Sequence, residues 1–183
     1  QLGVEPRVAY CVDSFGHAGT LPQILAKCGF DAYVFMRPGP HEKQLPAQTF
    51  WWQGPDGSRV LAFRIAASYG TRNMDHAEHI AKAVAAKPPQ LDQTMCFFGV
   101  GNHGGGPSKA MIEWILAIRD FDGHELIFST PQAYFDAVAG QRDLLPREAA
   151  DLDSQLQAEL TKLWQTDFIR PWPPTVIQEV QRG

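Results

Sequence analysis

The side chains best placed to do chemistry in this chain are Asp13, His17, Arg37, Tyr69 and the adjacent pair Asn102 and His103. Asp13 closes an apolar run, Val8-Ala9-Tyr10-Cys11-Val12, and is followed by Ser14-Phe15-Gly16-His17. Such a run reads as a parallel strand covered on both faces, which puts Asp13 at its carboxyl end, where the loops of α/β sheets converge on a crevice. A carboxylate there can serve as nucleophile or metal ligand, or it can simply cap a turn. His17 either points into the crevice or donates to a backbone carbonyl and holds the loop. Asn102 and His103 stand between Gly99-Val100-Gly101 and Gly104-Gly105-Gly106-Pro107, after a second apolar run. Three successive glycines let backbone approach a ligand closely. Of the two side chains only the histidine exchanges protons near neutrality, with an ordinary pKa of ~6.5. A phosphate loop would end in Lys followed by Ser or Thr, and Ser108-Lys109 has the reverse order.

These groups need elements to hold them. A helix from about Thr20 to Lys27 follows the Asp13 turn, with Leu21, Ile24, Leu25 and Cys28 at helical spacing, Pro22 in its first turn and Gly29 after its end. Ala32 to Met36 reads as the next parallel strand, ending at Arg37. Phe50-Trp51-Trp52-Gln53 and Val60 to Ile65 flank a Pro-Asp-Gly turn and read as a hairpin, with both tryptophans in the core or at an interface and Tyr69 beyond its second strand. A helix capped by Asn73 or Asp75 runs to about Ala86; His76 and His79 lie on it without an accompanying acid and read as surface residues. Thr94 to Gly99 reads as a buried strand, Pro107 to Asp120 as a helix burying Ile112, Ile115, Leu116 and Ile118, Glu125 to Ser129 as a strand, and Thr130 to Ala139 as a helix opened by Pro131. The alternation predicts an α/β protein with a parallel sheet, open or barrel-like. Two parts are expected: residues 1–145 as one α/β unit, and residues 146–183 as a tail that starts a helical segment or departs from the rest.

Composition narrows the function classes. With 183 residues the chain can bury a substantial core, and 44% hydrophobic with 20% charged residues is ordinary for a globular protein. A net charge of -4 with scattered Lys and Arg argues against a nucleic-acid partner. No apolar run approaches the ~20 residues of a membrane span. Cys11, Cys28 and Cys96 are widely spaced in apolar contexts and read as reduced core residues of a cytoplasmic protein.

The motifs themselves carry a resemblance. Asp13-Ser14-Phe15-Gly16-His17-Ala18-Gly19 with Leu21-Pro22-Gln23-Ile24-Leu25 and Cys28-Gly29-Phe30-Asp31, then Phe50-Trp51-Trp52-Gln53-Gly54-Pro55-Asp56-Gly57-Ser58, then Gly99-Val100-Gly101-Asn102-His103-Gly104-Gly105-Gly106-Pro107-Ser108, occur in the order found in α-mannosidases, and the chain resembles glycoside hydrolase family 38. The resemblance implies part of a seven-stranded α/β barrel with helices packed on its sheet, and retaining hydrolysis of α-mannosidic linkages in a glycan or glycoside. It implies that Asp13 both ligates zinc and attacks the anomeric carbon, and that the segment with Asn102 and His103 supplies the general acid/base. The aspartate of many relatives is replaced there by Asn102, so His103 takes the role, an acid comes from elsewhere, or turnover is slow. Arg37 and Tyr69, each beyond a strand end, read either as substrate contacts that hydrogen-bond sugar hydroxyls or as structural residues, Arg37 pairing with a carboxylate and Tyr69 packing; His17 is the third expected substrate contact. Zinc requires about three protein ligands; only Asp13 matches one, so the site is expected to be incomplete in a fragment that is itself inactive and has exposed edge strands that favour homo-oligomers. A zinc-dependent carbohydrate deacetylase and a non-catalytic carbohydrate-binding module are the alternatives; the first would carry a His-any3-His pair that this chain lacks.

Overall fold

The computed structural model describes residues 3, 5–71, 74–101, 104–149 and 152–153. In chain order the elements are β1 (Val8–Cys11), β2 (Gly16–His17), α1 (Leu21–Lys27), β3 (Ala32–Phe35), β4 (Thr49–Gln53), β5 (Arg59–Arg64), α2 (His76–Ala86), α3 (Lys109–Ile118), β6 (Asp120–Phe121), β7 (His124–Glu125), α4 (Pro131–Ala137), β8 (Arg147–Glu148) and β9 (Leu152–Asp153). Five strands form one sheet in the order β1-β3-β5-β4-β8. β1, β3 and β5 are parallel, β4 runs antiparallel to β5, and β8 pairs parallel to β4. The result is a mixed α/β sheet rich in parallel pairs.

Period-2 alternation gives the sheet two apolar faces. Ala32, Val34, Trp51, Leu61 and Phe63 turn to one side and meet Tyr134, Phe135 and Val138 of α4 and its end. Tyr33, Phe35, Phe50, Trp52, Val60 and Ala62 turn to the other and meet Leu25 of α1 and Leu152. β3 and β5 lie at the centre, and all four residues of β3 are buried. The hairpin turn forms as its sequence dictates: Asp56 Oδ1 accepts from the Ser58 amide at 2.9 Å, and Gly57 takes φ +83°. Thr130 caps α4 by accepting from the Ala133 amide at 3.2 Å, with Pro131 in the first turn.

Several expectations are corrected. β1 is not covered on both faces: among the described residues it pairs with β3 alone, and Tyr10 is 51% exposed. Residues 94–99 form no strand, although Met95 and Phe97 pack against the core. Phe97 meets Tyr10 of β1, ring centroids 5.9 Å apart, without a ladder forming. The strand expected over Glu125 to Ser129 is reduced to the two-residue β7, paired with β6 in a tight hairpin, and Ile127 and Phe128 stay exposed. α3 buries Met111 rather than its predicted stripe; Ile112 and Leu116 are exposed. In α1, Ile24 is exposed and Leu25 faces the core. The three thiols are free as expected, but Cys28 and Cys96 are exposed rather than buried. Beyond residue 145, β8 joins the main sheet and β9 pairs antiparallel with β2. Residues 154–183 lie outside the described residues, as do Arg72, Asn73, Asn102 and His103.

Candidate active site

The carboxyl ends of β1, β3 and β5 open onto one cavity of about 450 Å³, lined among others by Asp13, Arg37, Tyr69, Asp75, His79 and Gly101. That size falls in the range of small-molecule sites, ~300–1,000 Å³. Asp13 follows β1, Arg37 follows β3, and Tyr69 stands in the loop after β5, so three adjacent parallel strands each deliver one polar side chain to the same place. Chain connectivity explains the convergence, since strands that run the same way end on the same side of a sheet.

Arg37 and Asp13 meet directly. Arg37 Nε donates to Asp13 Oδ1 at 3.0 Å, and the guanidinium lies over the Phe15 ring, 4.7 Å from its centroid. The pair is solvent-facing, with side chains 36% and 51% exposed. The arginine thus holds one carboxylate oxygen and fixes its plane, while Oδ2 accepts no hydrogen bond from the described residues. Both readings of Arg37 meet in one side chain: it pairs with a carboxylate, and it faces the cavity.

His17 is placed elsewhere. It is 5% exposed and lies in the second core cluster, with ring contacts to Tyr33, Phe35 and Trp52. Its Nε2 is 2.9 Å from the Arg37 carbonyl oxygen and its Nδ1 is 3.0 Å from the Tyr33 hydroxyl. Burial pushes the Tyr33 phenol well above its ordinary range, so it stays protonated as a neutral partner. His17 thus reaches the backbone of Arg37 and holds the loop, the second of its two sequence readings.

The glycine-rich segment packs against the loop after β5. Gly101 has φ +62°, and a Cβ there would sit 3.0 Å from the Tyr69 ring. A Cβ on Gly70 would meet the Val100 and Gly99 carbonyl oxygens at 3.1 and 3.2 Å. These two positions need glycine to let two backbones touch and to seat Tyr69. The Thr71 amide donates to the Gly99 oxygen at 2.7 Å and closes the junction. Asn102 and His103 belong to this segment but lie outside the described residues.

Asp75 and His79, at the start of α2, face the same cavity. Asp75 Oδ2 is 3.4 Å from His79 Nε2. His76 and His79 are 2% and 6% exposed, which corrects their reading as surface residues. The burying rings come from far along the chain: Trp114 and Phe98 lie 5.0 and 6.4 Å from the His76 ring, centroid to centroid. Burial in this aromatic surround holds the His76 imidazole below its ordinary pKa, with a smaller opposing pull from Asp75. Because the unfolded chain binds the proton more readily, this histidine favours the fold fully above about pH 6.5, and the contribution falls away as pH drops through the lowered value. The midpoint of urea unfolding is therefore expected to fall between about pH 7 and pH 5, and His76→Leu should flatten that dependence; an unchanged slope in the variant would contradict it.

Zinc is not accommodated by these residues alone. Among the described residues no group of three or more His, Cys, Asp or Glu side chains is placed to hold a metal ion, and Asp13 has committed one oxygen to Arg37. No helix among them is long and apolar enough to cross a membrane.

A parallel-rich α/β sheet with an arginine-held carboxylate at its strand ends, open to a cavity of small-molecule size, defines an enzyme-like carboxylate site. Residues 1–160 match the model of the glycosyl hydrolases family 38 N-terminal domain. Alpha-mannosidase 2C1 of Homo sapiens is 31% identical over 138 residues, covering 73% of this chain and 13% of that protein. Alpha-mannosidase G of Dictyostelium discoideum is 29% identical over 147 residues, 79% of this chain and 14% of that protein. The crystal structure of an alpha-mannosidase from Enterococcus faecalis V583 superposes with a TM-score of 0.66 at 21% identity, covering 82% of this chain and 18% of that one. The chain belongs to glycosyl hydrolase family 38, in the N-terminal domain, and it spans about one seventh of the length of the curated relatives it matches.

Proposed function

We propose that this chain carries the nucleophile-bearing part of a retaining α-mannosidase site acting on mannose-containing glycans or glycosides. The observation that carries the proposal is Asp13: a cavity-lining carboxylate at a parallel strand end, with one oxygen held by Arg37 and the other accepting no hydrogen bond from the described residues. A carboxylate so fixed attacks an anomeric carbon through its unengaged oxygen and divides one displacement into two easier ones. Arg37 holds the carboxylate in one orientation through Oδ1. Tyr69, seated by Gly101, would hydrogen-bond a sugar hydroxyl. The sheet would be one wall of a seven-stranded α/β barrel, a reading supported by its parallel-rich order and by the likeness to the Enterococcus faecalis mannosidase. The described residues do not hold zinc by themselves; in a zinc-loaded enzyme Asp13 would be one ligand among several.

The full-length protein carrying this segment, incubated with 4-nitrophenyl α-mannopyranoside, is expected to release nitrophenol and to form α-mannose first by proton NMR. The 183-residue chain alone should release none. No release by the full-length protein at any zinc or chelator level would end the hydrolase reading, and first-formed β-mannose would end the retaining mechanism.

A further inference from the structure

The turn after β1 grips Arg37 at three points: the guanidinium donates to Asp13 and lies over the Phe15 ring, and the Arg37 carbonyl oxygen meets His17 Nε2 at 2.9 Å. The first two contacts are made at the surface, where an ion pair in water contributes little by itself. The third is buried. His17 sits among Tyr33, Phe35 and Trp52, and a hydrogen bond enclosed in that way is shielded from competing water. The contact able to fix Arg37 is therefore the one made inside the core.

The backbone on either side of that contact is already constrained. Upstream, the Ile65 amide donates to the Phe35 oxygen at 2.8 Å; downstream, Pro38 disfavours helical backbone at Arg37. His17 adds the remaining constraint, on the carbonyl itself. Because a carbonyl oxygen only accepts, Nε2 carries the ring hydrogen, and in the neutral imidazole Nδ1 is then an acceptor. The Tyr33 hydroxyl, 3.0 Å from Nδ1, supplies the matching donor, and burial keeps that phenol protonated. A hydroxyl at this point selects the tautomer that can bond to Arg37.

We propose that Tyr33 and His17 are positioning residues of the Asp13 site: the phenol sets the imidazole tautomer, the imidazole fixes Arg37, and Arg37 aims the nucleophile. The proposal rests on the retaining α-mannosidase reading above. Neither residue lines the cavity, so losing either should slow the chemical step and leave substrate binding largely alone.

The test measures kcat and KM of the full-length protein separately on 4-nitrophenyl α-mannopyranoside. His17→Phe keeps a ring in the core but offers Arg37 no donor; kcat should fall roughly 10- to 100-fold with KM little changed. His17→Gln keeps an N–H within reach of the carbonyl and should recover most of that loss. Tyr33→Phe deletes a single oxygen, which guards against misfolding of the first variant, and should lower kcat about 3- to 10-fold. Once Arg37→Met has removed the group being aimed, adding Tyr33→Phe should cost almost nothing more, whereas a role confined to packing would multiply the two losses. Multiplied losses in that double variant, or an unchanged kcat in both His17→Phe and Tyr33→Phe, would overturn the proposal while leaving the mannosidase reading intact. Failure of the unmutated protein to cleave the mannoside would overturn the mannosidase reading, and this proposal with it.

Discussion

Asp13→Asn in the full-length protein is expected to lower α-mannoside hydrolysis on the order of 10⁴-fold, about 5 kcal/mol of transition-state stabilisation, with the unfolding midpoint almost unmoved. The amide keeps the shape of the side chain but cannot form the covalent bond to C1. Stability should hold because the Arg37 pair sits in solvent, where such pairs contribute ~0–1 kcal/mol. The separation of the two readouts carries the prediction. A carboxylate that merely shaped the turn after β1 would lose activity and stability together, or neither. Asp13→Ala with azide should form β-mannosyl azide, because the anion enters from the side the carboxylate vacated.

Trp52→Ala is expected to be the most damaging single change to the fold, at about 3–5 kcal/mol. Trp52 is fully buried, belongs to β4 between β5 and β8, and packs on Tyr33 and the His17 ring with centroids 5.8 and 6.2 Å away. Removing it leaves a cavity under two strand pairings and loosens His17, which holds the Arg37 carbonyl. Thermal unfolding of the variant should begin roughly 10 °C lower. Activity at low temperature should weaken as well, because Arg37 loses its backing before the chain unfolds. A fall in midpoint below about 3 °C would show that the second face of the sheet is not the main store of stability.

How much of this could be read from the sequence depended on how local the cause was. The Asp56-Gly57 turn, the Thr130-Pro131 helix start and the buried run Ala32 to Phe35 are set by neighbours in the chain, and each forms as read. The convergence of Asp13, Arg37 and Tyr69 was legible in outline, since each follows an apolar run and strand ends gather on one side. Their pairing was not, because nothing in the spacing says that Arg37 will seat on Asp13 rather than on another acid. The family motifs named the segments, but nothing local said that Tyr33, Phe35 and Trp52 would enclose the His17 ring while its Nε2 reaches the Arg37 carbonyl oxygen. Residues 94–99 had the composition of a strand, yet Met95 and Phe97 pack on the core without entering a ladder. His76 looked superficial because its cover arrives from Phe98 and Trp114, more than 15 residues downstream. Asp75 stands at the N-cap as one of the two candidates, Asn73 or Asp75, but its side chain makes no capping bond; the four-residue step to His79 is the signal for the carboxylate–imidazole contact on adjacent turns.

Covalent capture tests the central role of Asp13 most directly. The full-length protein is treated with a fluorinated mannosyl fluoride that forms the glycosyl intermediate faster than water clears it, digested, and mapped by tandem mass spectrometry. The added sugar mass is expected on the peptide containing Asp13, and to disappear when unlabelled α-mannoside is chased through. A label on a different carboxylate, or steady turnover of α-mannosides with Asp13 never modified, would contradict the account.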